Sequence, residues 1–345
     1  MKISFVLPGG GVSGGVRVTV AAANHLLERG HKVRILVRRG DMGPRVIYRL
    51  LKNYTAHSRS WLKDFMRKPE RFKKIERCKF DKDEIIVGVG SYVTDEMVRL
   101  QSLSNPKIHY LHGITTWNQK LMQQTLSLPL PKIAVASYLK PLVESAGGGE
   151  LAAIVPNGIN RSEYYKSVRE EERDGIGSIY SSQAAKDPKT VIGCIQKFSS
   201  LRPATPVRVF GPETKPRALG DVFYQRLPSV EQARDIYSKS LAWIMASKSE
   251  GFSVPILEAM ACGAIPVVTD CGGTRDIITD GENGFLVEVG NVDQILDRIM
   301  LLLDDGDLRK RLRVGGEATV DKFSWEKSID QLEGVLKTVL MGCFK

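Results

Sequence analysis

The chain has 345 residues, 42% of them hydrophobic, and a formal net charge of +11; this is too long for one small core and apolar enough to bury two of ordinary size. Its five cysteines, Cys78, Cys194, Cys262, Cys271 and Cys343, form no C-x-x-C pair and have no neighbouring histidines, which argues against a zinc site and a disulfide framework and points to a reducing compartment. No apolar run reaches bilayer length and the opening "MKISFVL" is too short for a leader's apolar region, so the expected location is the cytosol.

In chain order, "KISFVL" reads as a strand, followed by the glycine-rich "PGGGVSGGVRV" and a helix from about Arg17 to Arg29. The loop contains G-x-G-x-x-G at Gly9, Gly11 and Gly14, a weak dinucleotide fingerprint on its own. "KVRILV" is the second strand. A basic segment follows: from Arg38 to Lys82 there are fifteen lysines and arginines against five acids, with Trp61, Phe65, Phe72 and Ile75 interleaved. That pattern suits either a helix lying on an anionic membrane surface or a solvated helical face. Nucleic acid is not expected, because no nucleic-acid-binding motif accompanies the charge. "EIIVGVG", "KIHYLHG", "KIAVAS" and "AAIVPNG" continue the alternation of short apolar runs and helical patterns expected of parallel strands buried on both faces.

The turn-rich "NRSEYYKSVREEERDG", residues 160–175, has little to bury and marks a boundary. Beyond it the rhythm repeats with "GIGSIY", "PVRVFG", "LAWIMAS", "AIPVVTD" and "GFLVEV", and "FSWEKSIDQLEGVLKTVL" closes the chain as an amphipathic helix. Two α/β halves result, each wound around its own parallel sheet: 1–160, 161–322, and a terminal helix, 323–345, expected to return to the first half.

The run "SKSEGFSVPILEAMACGAIPVVTDCGGTRDII", 247–278, carries the chemistry. A buried strand turns through "KSEGFS" into a helix whose first turn is marked by Pro255 and whose end is marked by Gly263. Glu250 then lies in the loop above a strand end and Glu258 in the first turns of the helix, where ligands of open parallel sheets bind. Two acids so placed can simply complement a helix dipole. The glycines of "DCGGTRDII", again before a helix start, offer backbone N–H groups to an anion, and the two turns together make a cradle for a sugar diphosphate.

"EGFSVPILE" resembles the E-x7-E motif of the retaining glycosyltransferases of family 4, and "GGVRVTVAAANHLLERGHKVRIL" and "IVPNGIN" are similar to that family's opening loop and first-domain end. The resemblance implies the GT-B fold, two Rossmann-like doubly wound domains with the nucleotide sugar between them, and a metal-independent hexosyltransferase. No cofactor is implied, the nucleotide sugar being a co-substrate. Glu250 would accept from the donor sugar's hydroxyls and Glu258 from the ribose. Gly251 and the N–H groups of Phe252, Ser253 and Val254 would hold sugar or phosphate, and Lys186 the leaving diphosphate. His112 would lie near the donor sugar, with Trp117 on the acceptor side and Leu227 near the base. Gly14 and Gly15 would let the first domain's backbone approach the diphosphate. The family's arginine five or six residues before Lys186 is missing, since Tyr180 and Ser181 stand there; Lys189 is a substitute cation. The expected partners are a nucleotide-sugar donor, a glycan or lipid-linked acceptor and, through residues 38–82, an anionic membrane surface on the cytoplasmic side.

Two other readings use the same residues. An NADP-dependent oxidoreductase would use the glycine fingerprint with Arg38 and Arg39 on a 2′-phosphate, but it predicts nothing about 247–278. A nucleotide-sugar-binding GT-B protein without catalysis is favoured by the missing arginine and opposed by Glu250, Glu258 and Lys186. The D-x-D at Asp81 and Asp83 is too short a match to assign a metal.

Overall fold

The computed structural model describes residues 1–11, 13–39, 60–114 and 118–342, and the chain divides into two compact units, Met1–Asn157 with Trp325–Lys345, and Gly158–Ser324. In the first unit the strands are β1 (Lys2–Leu7), β2 (Lys32–Arg38), β3 (Glu70–Phe72), β4 (Glu84–Val89), β5 (Lys107–Leu111), β6 (Lys132–Ala134) and β7 (Leu151–Ile154). They form one sheet in the order β3-β2-β1-β4-β5-β6-β7, every pair parallel. The helices are α1 (Gly14–Glu28), α2 (Thr94–Arg99), α3 (Gln119–Leu126) and α4 (Leu139–Ala146), with the C-terminal helix Trp325–Leu340 added from the chain's end. The strand order reverses between β1 and β4, so the loops after these strands flank a switch point.

Helix α1 begins three residues before the apolar pattern suggests. Ser13 caps it, its Oγ accepting from Val16 N–H at 3.4 Å, and so Gly14 and Gly15 form its first turn. Within the sheet, Arg34 donates from Nε to Glu84 Oε1 and to Ser4 Oγ, both at 2.8 Å. Glu84 is buried, and this ties β1, β2 and β4 together through one satisfied charge pair.

The described part of the basic segment, 60–82, is not one helix as its apolar residues suggested. Among the described residues, 60–82 holds two short 3₁₀ turns and β3. Phe65, Phe72 and Ile75 are buried, Phe72 and Ile75 in the core beside Val6 and Leu36. Alternation of apolar and basic residues here reflects an irregular chain that turns its rings inward and its cations outward. Of the apolar side chains between 60 and 82, Met66 stays exposed, as do Arg67, Lys68, Lys73, Lys74, Arg77 and Lys82. Residues 40–59 lie outside the described residues. Asp81 and Asp83, the D-x-D pair, are both engaged by Lys2 Nζ, at 3.1 and 2.9 Å.

The C-terminal helix is held on the first unit by charge as well as by Ile329, Leu332 and Leu336, all buried. Arg29 reaches Asp330 at 2.6 Å and Glu333 at 3.0 Å, and Lys337 reaches Glu333 at 2.8 Å. Lys337 and Arg29 hold the Glu333 carboxyl down from an ordinary value of 4.5 to about 2. A folded-state value below the unfolded one gives stability that is full above about pH 4.5 and lost as the pH falls towards 2. Glu333→Gln is therefore expected to lower Tm by about 2 °C or more at pH 7, and thermal scans at pH 3 should find the gap from the parent narrowed; a gap of constant size would mean the charge is not the cause.

In the second unit the strands are β8 (Ile176–Ile179), β9 (Val207–Gly211), β10 (Phe223–Arg226), β11 (Ala242–Met245), β12 (Ile265–Thr269) and β13 (Phe285–Val287). The helices are α5 (Pro188–Leu201), α6 (Val230–Lys239), α7 (Val254–Ala261), α8 (Val292–Asp304) and α9 (Gly306–Lys322). The parallel sheet runs β10-β9-β8-β11-β12-β13, with its switch point between β8 and β11. Strands β11 and β12 are wholly buried, as their unbroken apolar runs require. The apolar pattern misses β3 and β10. Both end their sheets and are short, and β10 leaves Phe223 55% exposed, so neither contains an apolar run.

Candidate functional site

The site is assembled at the carboxyl ends of β8 and β11, the two strands beside the switch point of the second sheet. After β8 the chain passes through a 3₁₀ turn, Ala184–Lys186, into α5. After β11 it passes through Ser247–Ser253 into α7. The two loops are stitched by their backbones: Lys248 and Ser249 N–H both donate to Ala185 O, at 2.8 and 3.3 Å. That stitch brings together side chains 64 positions apart, and Lys186 Nζ donates to Glu250 Oε1 at 2.6 Å. Ser247 Oγ donates to the same oxygen, also at 2.6 Å. Glu250 is only 6% exposed, whereas the Lys186 side chain is 34% exposed, so the ammonium forms the solvent-facing side of the pair.

Helix α7 opens at Val254, and the first N–H groups of a helix have no acceptor within it. Ser253 precedes it with φ 79°, a conformation costly for a residue with a Cβ. Among the described residues three non-glycines have positive φ: Asp187, Leu227 and Ser253. They follow β8, β10 and β11 in turn, so the backbone strain of the second unit gathers along one end of its sheet, where strained residues often mark function. Leu227 N–H donates to Gly211 O at 2.9 Å, fixing that turn against the end of β9.

Glu258 lies one turn inside α7 and is 3% exposed. Tyr237 of α6 donates its OH to Glu258 Oε2 at 3.0 Å. Burial, and next the neighbouring carboxylate, push the Tyr237 phenol well above its usual value, so it stays a donor.

The second glycine loop has a different purpose from the one expected. Gly273 N–H is already used by Glu250 O at 3.1 Å and is not offered to an anion. A methyl at Gly273 would collide with the carbonyl of Gly251 and the Cα of Phe252. The glycine is needed so that the "DCGG" turn can close on the back of the Glu250–Phe252 loop. Gly273→Ala should destabilise the unit by about 1–3 kcal/mol, read as a fall in Tm, with loss of whatever ligand the Glu250 loop holds; an unchanged Tm would show that the loops part without cost.

Where the arginine is missing, Ser181 and Ser182 turn onto an acid. Ser182 donates to Glu213 Oε1 from its N–H at 3.2 Å and from Oγ at 2.9 Å, and Ser181 Oγ at 3.4 Å. No cation takes that place among these side chains. Lys189 is exposed on the first turn of α5.

In the first unit His112 follows β5 directly, its ring 4.5 Å from that of Tyr110. A Cβ on Gly15 would come within 3.9 Å of His112 Nδ1, so the start of α1 and the end of β5 are neighbours. Burial, and next the His109 ring, bring the His112 imidazole down to about 4. It is neutral at pH 7, able to donate or accept one hydrogen bond but not to supply charge to a phosphate. Arg38 is held at 2.9 Å by the buried Glu96, which removes it from the role an NADP site would give it. Trp117 lies outside the described residues. Among the described residues no group of acidic, histidine or cysteine side chains could hold a metal, and no helix is long and apolar enough to cross a membrane.

Residues 221–319, from β10 through most of α9, match the family of glycosyl transferases group 1. Over this segment the chain is similar to that family. A Methanocaldococcus jannaschii protein described as an uncharacterized glycosyltransferase is 35% identical to this chain over 101 residues, 29% of each chain. The N-acetyl-alpha-D-glucosaminyl L-malate synthase of Bacillus anthracis is 31% identical over 111 residues, 32% of this chain and 29% of the relative. The matched stretches thus span less than a third of these relatives. Among solved structures, Anabaena HepE in complex with UDP superposes with TM-score 0.76 at 15% identity, covering 98% of this chain and all of that one. Sucrose-phosphate synthase from Thermosynechococcus elongatus gives 0.73 at 15% identity, covering 99% and 100%. The two parallel α/β sheets are those of the GT-B fold. Sequence patterns alone missed Tyr237, whose partner is 21 positions away, and Ser247, which a serine three residues before a loop acid could have suggested.

Proposed function

We propose that the chain is a retaining, metal-independent glycosyltransferase that moves a hexose-type sugar from a nucleotide-sugar donor to a glycan or lipid-linked acceptor, in the synthesis of a cell-surface polysaccharide or glycoconjugate. The observation that carries this is the Lys186–Glu250 pair at 2.6 Å beside the α7 N-terminus and the switch point of the second sheet. A cation, a carboxylate and the first N–H of α7, that of Val254, meet there, as a sugar diphosphate requires. In this reading Lys186 and the N–H groups of Phe252, Ser253 and Val254 take the diphosphate, with Gly251 leaving room for it. Glu250 accepts from the sugar's hydroxyls, Glu258 from the ribose, and the Leu227 turn meets the base. On the first unit Gly14, Gly15 and His112 complete the donor contacts, the neutral ring acting by hydrogen bonding. Residues 1–160 form the acceptor side, and 161–322 hold most of the donor.

In the transfer the bond from the sugar's C1 to the diphosphate oxygen breaks, the acceptor oxygen bonds to C1 on the same face, and the acceptor's proton passes to the departing phosphate. No side-chain base is needed. Lys186 offsets charge as it develops on the diphosphate, and Glu250 positions the sugar and steadies positive charge at its ring. With serines on Glu213 in place of an arginine, Lys189 is the other cation of this loop available to the phosphates.

The deciding experiment measures nucleotide release from a panel of activated sugars with and without acceptor glycans or polyisoprenyl-linked sugars. Acceptor-dependent release supports transfer; tight nucleotide binding with no turnover on any donor would favour a binding protein with this fold. A peripheral site on the inner face of the membrane is part of the proposal, resting now on the exposed cations between Arg67 and Lys82 alone. Flotation is expected with anionic vesicles, not with neutral ones, and to vanish at high salt; equal binding to both, or to neither, would exclude it.

A further inference from the structure

Glu250 receives two donors, Lys186 Nζ and Ser247 Oγ, and both take Oε1. If Lys186 is to meet a diphosphate, it must release at least part of its hold on that oxygen. One pin then remains. Ser247 is 3% exposed, and its own backbone is fixed: Thr269 Oγ1, at the end of β12, donates to Ser247 O at 2.5 Å. Thr269 is in turn held by the next loop, Thr274 Oγ1 sharing its proton between Thr269 O at 3.1 Å and Cys271 O at 3.0 Å, while Cys271 N–H donates to Thr274 Oγ1 at 3.0 Å. A continuous chain of buried hydrogen bonds therefore runs from the "DCGGT" turn through Thr269 and Ser247 to the Glu250 carboxylate.

We propose that Ser247 is the positioning residue for Glu250: it holds Oε1 when Lys186 turns to the donor's diphosphate, and so keeps Oε2 aimed at the sugar. This deepens the transferase reading and rests on it. A hydroxyl suits the task because it donates one directed bond and adds no charge, whereas a second cation would compete with the sugar for the carboxylate. Before donor binds, Lys186 and Ser247 share the work and either suffices. Once the diphosphate has drawn Lys186 away, loss of the hydroxyl leaves the carboxylate free to rotate, and a carboxylate out of its productive geometry costs rate more than binding.

The test compares the full-length parent with Ser247→Ala, Glu250→Gln and the double variant. UDP and GDP affinities come from calorimetry, and kcat and KM from release of nucleotide from the donor that the parent uses fastest. Ser247→Ala should bind the preferred nucleoside diphosphate within about twofold of the parent, which also shows that it is folded, and lose about 10–100-fold in kcat. In the Glu250→Gln background, Ser247→Ala should add nothing, because the hydroxyl acts only through that carboxylate. An unchanged kcat in Ser247→Ala, a loss of nucleotide binding as large as the loss of rate, or a full further loss in the double variant would overturn the assignment. A parent that binds neither nucleotide and turns over no donor would overturn the transferase reading itself, and the positioning role with it.

Discussion

Glu250→Ala is expected to lower turnover of the nucleotide sugar by about 10²–10³-fold while leaving nucleoside diphosphate affinity within a few-fold, or slightly improved. The asymmetry follows from the pair. In the parent the Lys186 ammonium rests on the Glu250 carboxylate at 2.6 Å, so an incoming phosphate must compete for it. Deleting the carboxylate frees Lys186 and removes a negative charge from the mouth of the site, both of which favour an anion. In the role proposed for Glu250, what disappears is the acceptor for the sugar's hydroxyls and the charge that steadies the sugar ring as the diphosphate leaves. Calorimetry with UDP and GDP, set against donor turnover, separates the two effects. Weakened nucleotide binding at unchanged kcat would mean that the roles of Glu250 and Glu258 are exchanged.

How much of this could be read from residues alone depended on how local each feature is. The E-x7-E segment was legible because strand, turn, Pro255 and Gly263 leave one way for the chain to go, and that path fixes both acids relative to a helix start. The order of the strands was legible as far as apolar runs mark strands. It failed at β3 and β10, whose edge positions ask for no apolar run. Between residues 60 and 82 a helical period misleads, because Phe72 sits in a strand and Ile75 in a 3₁₀ turn, each pointing to the core on its own terms. Nothing near Gly273 announces that its role is to clear the carbonyl of Gly251, since that neighbour is reached only through the fold. The neutral state of His112 was equally hidden, for its cause is burial beside His109 and Tyr110 rather than any residue type at a fixed spacing.

For Glu258→Ala the expected outcome is the opposite of that at Glu250: nucleoside diphosphate affinity falls by about 10–100-fold, corresponding to a lost charge-assisted bond or two to the ribose, and the second unit loses stability as well. The stability loss has a specific source. Tyr237 is fully buried and donates its OH to Glu258 Oε2 at 3.0 Å across the α6–α7 contact; its phenol is held far from ionisation and can only donate there. Removing the acceptor leaves a buried hydroxyl unsatisfied, at a cost of about 1–3 kcal/mol, and opens a small cavity besides. Tyr237→Phe separates the two consequences, since it deletes the hydroxyl and keeps the carboxylate. That variant should lose about 1 kcal/mol of stability while holding nucleotide nearly as well as the parent, because the carboxylate proposed to meet the ribose remains on α7. Thermal scans and calorimetry on both variants give the answer. If Glu258→Ala loses stability and keeps its affinity, the acid belongs to the packing of α6 against α7, and the ribose must be held by another group of the second unit.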